Sequence, residues 1–173
     1  MPYQFRNITV LVVDSQPAIV QMIDGVLQMF GIQKVIKCTD GKSGLKAFAE
    51  NMPDLIIVDW DLADIDGIEF TKVVRASPNN PFAPIIFMTA LSSQKRVAVA
   101  RDSGITEFLR KPFTAQSLYK RIEVIAEKPR QFVRVPDFFG PDRRRKNDEN
   151  YKGVERRGRG SQTGINNFSA QNP

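Results

Sequence analysis

Five short, nearly uninterrupted apolar runs mark the first 110 residues of the chain: ITVLVV at 8–13, VIKC at 35–38, LIIV at 55–58, PIIFMT at 84–89 and ITEFL at 105–109. Three of them read as strands buried on both faces. Between the runs, apolar positions fall at helical spacing. Ile19, Ile23, Val26, Leu27 and Phe30 follow Pro17, which suits a first helical turn, and precede Gly31, which suits a stop. Leu45, Phe48 and Ala49 form a second stripe, and Ile68, Phe70, Val73 and Val74 a third that ends at Pro78. The Ala-rich segment 93–102 is a shorter fourth, ended by Gly104, and Leu118, Ile122 and Ile125 form a fifth after a Thr114 cap.

Strand and helix thus alternate five times. That pattern predicts an α/β fold, a doubly wound five-stranded parallel sheet with right-handed crossovers and helices on both faces. In such sheets ligands sit beyond the carboxyl ends of the strands, near the point where strand order reverses. The residues placed there are Asp14 and Ser15, then Asp59 with Trp60 and Asp61, then Thr89, and finally Lys111 followed by Pro112. Four polar clusters converge on one edge.

Composition narrows the chemistry. The 173 residues, 42% hydrophobic and 25% charged, fit one domain over 1–127 and leave 128–173 too short for a second. No window approaches the roughly 18 consecutive apolar residues of a membrane helix, and the start MPYQFRNITV lacks the order of a secretion signal, so a cytoplasmic protein without membrane insertion is expected. The single cysteine, Cys38, allows no internal disulfide and reads as inert core. With no histidine, the usual zinc sites and every Ser-His or Cys-His catalytic arrangement are excluded. Of the net charge of +6, residues 1–125 carry +1 and residues 126–173 carry +5. A basic excess confined to the tail counts against a nucleic-acid surface on the domain.

If Asp14, Asp59 and Asp61 lie within about 5 Å of one another, each ionised pair repels by roughly 3 kcal/mol at an effective dielectric near 20. Lys111 supplies one compensating charge and a divalent ion could supply two. Mg²⁺ is the cation that binds through one or two carboxylates and keeps positions open for phosphate oxygens. A carboxylate beside a metal, a hydroxyl and an ammonium is equipped to take a phosphoryl group in line, with Thr89 hydrogen-bonding one of the oxygens.

The motifs VLVVDS at 10–15, DLIIVDWDLADIDGIEF at 54–70, PIIFMTA at 84–90 and FLRKPF at 108–113 carry a family resemblance. With intervals of 45, 30 and 22 residues between Asp14, Asp59, Thr89 and Lys111, residues 6–126 resemble a two-component response-regulator receiver domain of the chemotaxis type. The resemblance implies a flavodoxin-like strand order 2-1-3-4-5, a phosphoryl-accepting Asp59, a metal-site acid at Asp14 and a metal-ligating backbone carbonyl at Asp61. It implies further a phosphoryl-sensing Thr89, a phosphoryl-binding Lys111, an aromatic rotamer switch at Phe108, and Mg²⁺ as the cofactor. The implied donor is a histidine kinase or phosphotransferase. The implied output is a change in protein contacts, to a downstream protein or a second copy, at the face of the fourth helix, fifth strand and fifth helix. Such a chain is a phospho-acceptor rather than an enzyme, though it assists its own phosphorylation and dephosphorylation.

One departure stands out. Receivers usually place two adjacent acids after the first strand, the second being the direct metal ligand, and here that second position is Ser15. A weaker Mg²⁺ site is expected, with the Asp61 side chain restoring the missing charge. The departure also opens an alternative, a pseudo-receiver binding module that is seldom or never phosphorylated. The Asp-x-Asp of residues 59–61 resembles haloacid-dehalogenase-type phosphatases as well, but that superfamily carries the motif on its first strand and needs late acids where this chain has FLRKPF. DGKSG at 40–44 lacks the first glycine of a phosphate loop, position 36 being Ile, and reads as the start of the second helix. Beyond residue 127 the periodicity stops, and 128–173 reads as a largely disordered tail. Within it, Gly140-Pro141-Asp142-Arg143-Arg144 and Gly153-Val154-Glu155-Arg156-Arg157 repeat a Gly-x-acid-Arg-Arg element suited to docking acidic partners or phosphate.

Overall fold

The computed structural model describes residues 5–90 and 94–142. Strands β1 (Thr9–Val13), β2 (Lys34–Cys38), β3 (Leu55–Asp59), β4 (Ile85–Thr89) and β5 (Glu107–Arg110) alternate with helices α1 (Pro17–Met29), α2 (Gly41–Asn51), α3 (Gly67–Ala76), α4 (Gln94–Asp102) and α5 (Ala115–Glu127). The strands form one parallel sheet in the order β2-β1-β3-β4-β5. Strand order reverses beside β1, so the carboxyl ends of β1 and β3 lie at the expected ligand crevice.

Successive strand residues point to opposite faces, which divides the core in two. Val10, Val12, Leu55, Ile57, Ile86 and Met88 meet Ile23 and Leu27 of α1 and Leu118 and Ile122 of α5. Leu11, Val13, Ile56, Val58, Ile85 and Phe87 meet Phe48, Phe70, Val74 and Ala100 of the other three helices. Every residue of β3 and β4 is buried, which is why these runs carry no polar alternation.

The helix ends follow local chemistry. Pro17 opens α1, Asp40 caps α2 by accepting the Ser43 N–H, and Asp66 caps α3 by accepting the Glu69 N–H. Thr114 and Ser117 form a reciprocal capping box at α5. DGKSG is therefore a helix start.

The chain after α5 departs from the expected irregular tail. Phe132–Val135 (β6) and Phe138–Pro141 (β7) pair antiparallel across Pro136 and Asp137, and the Asp142 N–H donates to the Gln131 carbonyl at 2.7 Å. This hairpin is ordered by what it packs against. Phe132 is fully buried, its ring edge-on to Phe82, and Phe139 packs on both rings. The Arg75 guanidinium lies 5.0 Å from the centre of the Phe132 ring. Gly104, at φ +98°, and Gly140 approach so closely that a Cβ on Gly140 would fall 2.7 Å from the Gly104 Cα. Arg130 and Arg121 both pair with the buried Glu107, at 2.8 and 3.3 Å, fixing the link between α5 and the hairpin. The hairpin thus covers the amino ends of β4 and β5, opposite the ligand crevice. The first Gly-x-acid-Arg-Arg copy begins inside β7; its two arginines and the whole second copy lie outside the described residues.

Candidate functional site

Asp14 follows β1, Asp59 ends β3, Thr89 ends β4 and Lys111 follows β5. Register brings them together: the Lys111 N–H donates to the Thr89 carbonyl at 2.8 Å, and the Trp60 N–H to the Met88 carbonyl at 3.0 Å. The Lys111 Nζ lies 2.7 Å from Asp14 Oδ2 and 3.0 Å from Asp59 Oδ1. Asp14 is fully buried and Asp59 is 6% exposed, so one ammonium serves two desolvated carboxylates. Thr89 is buried beside them. The peptide bond between Lys111 and Pro112 is cis.

The electrostatics follow from this shared cation. Burial raises the Asp59 carboxyl above its ordinary value; the hydrogen bond and charge of Lys111 work against that, Asp14 adds to it, and the net displacement is upward. For Lys111, desolvation works downward, but the two carboxylates outweigh it and hold the ammonium above the usual lysine range. Asp59 is consequently a poorly solvated, more basic carboxylate whose charge depends on one lysine.

Ser15 and Asp61 differ from the expectation. The Ser15 hydroxyl donates to the Asp61 carbonyl at 2.7 Å, while Asp61 itself is exposed. Among the described residues no three acids gather into a metal-holding group. The expected three-carboxylate cluster is thus a two-carboxylate site next to a backbone carbonyl. Two carboxylates and a carbonyl are hard oxygen donors that fit Mg²⁺, which binds through few protein ligands and retains waters. Ser15 adds no charge to the set.

Two further residues shape the site and were not singled out from sequence. Asp64 accepts the N–H groups of Gly41 and Lys42 at 2.7 and 2.8 Å, tying the β3–α3 loop to the amino end of α2. Desolvation works upward on its carboxyl, but these backbone donors hold it below the usual range. At Gly67 a Cβ would fall 2.4 Å from the Asp59 carbonyl oxygen, so no larger residue fits under the acceptor. The clue in sequence is Asp66-Gly67, an N-cap directly after an acidic loop. Trp60 is buried with its ring edge-on to Phe87, and Phe108 is half-buried against the same ring. Cys38 is buried and its thiol is pushed up by desolvation, consistent with inert core.

Comparison with known proteins gives the same picture. Residues 10–123 match the family described as response regulator receiver domain. The chain is 32% identical over 120 residues to a protein of Rhizobium etli described as "Probable chemotaxis protein CheY", covering 69% of this chain and 93% of that one. Among solved structures, chemotaxis response regulator CheY4 of Vibrio cholerae superposes with a TM-score of 0.65 at 31% identity, over 68% of this chain and 98% of that one. The receiver domain of Francisella response regulator 1452 superposes with a TM-score of 0.63 at 32% identity, over 69% and 96% of the two chains. With the sheet order, the lysine-bridged carboxylates and these relatives in agreement, the chain belongs to the response regulator receiver domain family.

Proposed function

We propose that Asp59 accepts a phosphoryl group from a phosphohistidine of a histidine kinase or phosphotransferase. The observation that carries this reading is the Lys111 ammonium held between Asp14 and Asp59. An Asp59 carboxylate oxygen forms the new bond to phosphorus, the P–N bond of the donor breaks, and the imidazole nitrogen keeps the electron pair. Lys111 and Thr89 then bind the transferred oxygens. Asp14, Asp59 and the Asp61 carbonyl are the groups that would hold Mg²⁺, which when bound neutralises charge on the phosphoryl oxygens.

New hydrogen bonds from Thr89 and Lys111 to the phosphoryl oxygens would re-set the ends of β4 and β5, strands on which Phe87 and Phe108 pack against each other. On α4, Val97 and Val99 stand exposed. This supports a change of protein contacts at the α4, β5 and α5 face as the output.

Incubating the full chain with acetyl phosphate and Mg²⁺ should add the mass of one phosphoryl group, change Trp60 emission, and leave Asp59→Asn unlabelled. An unlabelled wild-type chain would support the pseudo-receiver alternative instead. A second expectation concerns the missing acid. Ser15→Asp should tighten Mg²⁺ about tenfold, roughly 1.4 kcal/mol, in a Trp60 fluorescence titration. Asp61→Asn, altering an exposed side chain, should change affinity by less than about twofold. A larger loss in Asp61→Asn would restore the compensating role expected from sequence.

A further inference from the structure

Ser15 carries no charge, yet it touches the site at an atom a cation would use. Its hydroxyl donates to the Asp61 carbonyl at 2.7 Å, across 46 positions of sequence. Ser15 directly follows Asp14, and Asp61 stands two residues past Asp59. One hydrogen bond therefore joins the β1–α1 turn to the β3–α3 loop beside the two acids.

Both partners of this bond are set by the backbone around them. On the β1 side, the Asp14 N–H donates to the Cys38 carbonyl at 3.2 Å and the Gln16 N–H donates to Asp14 Oδ1 at 2.9 Å. Ser15 is thus held in a turn between two fixed neighbours. On the β3 side, the Trp60 carbonyl accepts the N–H groups of Leu62 and Gly67 at 3.2 and 2.9 Å, and Asp64 ties the loop further on to α2. The peptide that carries the Asp61 oxygen is consequently bonded at both polar atoms. Its N–H, that of Leu62, donates to Trp60, and its oxygen accepts from Ser15.

A carbonyl oxygen has two lone pairs, so accepting from Ser15 leaves one for a cation. A third carboxylate would add attraction; the hydroxyl adds none and orients a ligand instead. Mg²⁺ demands near-ideal octahedral geometry at short distances, whereas Ca²⁺ accepts a flexible and larger shell of oxygens. The placement of one carbonyl therefore weighs more for the smaller ion.

We propose that Ser15 is a positioning residue of the cation site, its hydroxyl holding the Asp61 carbonyl so that the site selects Mg²⁺ over Ca²⁺. This rests on the reading of Asp14, Asp59 and the Asp61 carbonyl as the groups that hold Mg²⁺. It gives the departure from the two-acid pattern a role of its own, selectivity by geometry in place of attraction by charge.

Amide spectra of the full chain, titrated with Mg²⁺ and separately with Ca²⁺ and followed at Trp60 and Asp61, test the proposal. Ser15→Ala should weaken Mg²⁺ about fivefold, the scale of one net hydrogen bond, and Ca²⁺ by less than about twofold. Ser15→Thr, which keeps the hydroxyl, should return Mg²⁺ affinity to within about twofold of wild type. The same spectra verify that both variants keep the fold. Equal losses for the two cations would overturn the proposal, since a general loosening of the loop acts on both alike. A Ser15→Thr chain as weak as Ser15→Ala would do the same. So would an unchanged or tighter Mg²⁺ affinity in Ser15→Ala, the latter because it would make the hydroxyl a competitor for the carbonyl. Asp14→Asn separates this role from the reading beneath it. If Asp14→Asn loses Mg²⁺ while Ser15→Ala binds as wild type does, the acidic site stands and the role of Ser15 falls. A wild-type chain without Mg²⁺-dependent shifts would sink both.

Discussion

Replacing Phe132 by alanine is expected to destabilise the full chain by about 3–5 kcal/mol, the range for removing a fully buried phenylalanine. The reason is the hairpin's dependence on one side chain. An isolated two-stranded hairpin is marginal in water, so β6 and β7 owe their order to docking. Phe132 supplies that docking. Its ring joins Phe82 from the segment before β4 to Phe139 from the opposite strand, and its face covers the Arg75 guanidinium. Truncation therefore removes apolar contact and also exposes the neighbourhood of an arginine that braces Gly104, Pro81 and Ala83. Urea denaturation measures the loss, and amide exchange at Val133 and Gly140, partners across the hairpin, locates it. Gly140→Ala is an independent route to the same outcome, since its Cβ would be driven against the Gly104 Cα. A Phe132→Ala chain within about 0.5 kcal/mol of wild type would mean that the hairpin contributes nothing to the fold, as for an ordinary surface substitution.

The hairpin is also where the sequence was hardest to read. Five strands and five helices were legible because each buries a continuous run or stripe, and the position of Asp14, Asp59, Thr89 and Lys111 at strand ends followed from topology. FVRV and FFGP are four-residue strands that carry an arginine, a glycine and a proline, so neither shows a clean period of two. Their burial is created by Phe82, Arg75 and Gly104, residues 28 to 57 positions before Phe132 in the chain. The Pro-Asp turn between two aromatic-bearing runs was the available signal. Asp61 illustrates a different limit. Sequence spacing put its carboxylate in the acidic pocket, but alternation of sides holds only within the strand, and β3 ends at Asp59. Beyond it the loop's course is set by the long-range bonds of Asp64 to the α2 amides and by the close approach of Gly67 to the Asp59 carbonyl. Ser15, read as a lost ligand, acquires a definite partner in the Asp61 carbonyl.

Lys111→Met should have the largest effect at the acceptor end, a loss of about 3–5 kcal/mol at neutral pH, the scale for removing one partner of a buried ion pair. The side chain is of similar length, so the loss is one of charge. Two desolvated carboxylates would face each other with no cation between them. The pH dependence gives the claim a sign. In the wild type the folded-state pKa of Lys111 lies above its ordinary value of 10.5, so its stabilisation is fully present below that value and is lost only as pH rises through the raised one. Asp59 also titrates above its ordinary value of 3.8, and its protonated form is therefore the one that folding favours. Its contribution is present below 3.8 and is lost as pH rises through the raised folded value. Without Lys111, the hydrogen bond and charge that work downward on Asp59 disappear, and its pKa climbs further. Stability of the variant should then fall more steeply with rising pH than that of the wild type. Urea unfolding at pH 5 and pH 7.5 would show the gap between the two chains narrowing on the acid side, where a proton on Asp59 replaces the missing ammonium. Parallel stability profiles would mean that the lysine does not hold the pocket's charge, and the account of Asp59 as a carboxylate kept ionised by its neighbour would fail with it.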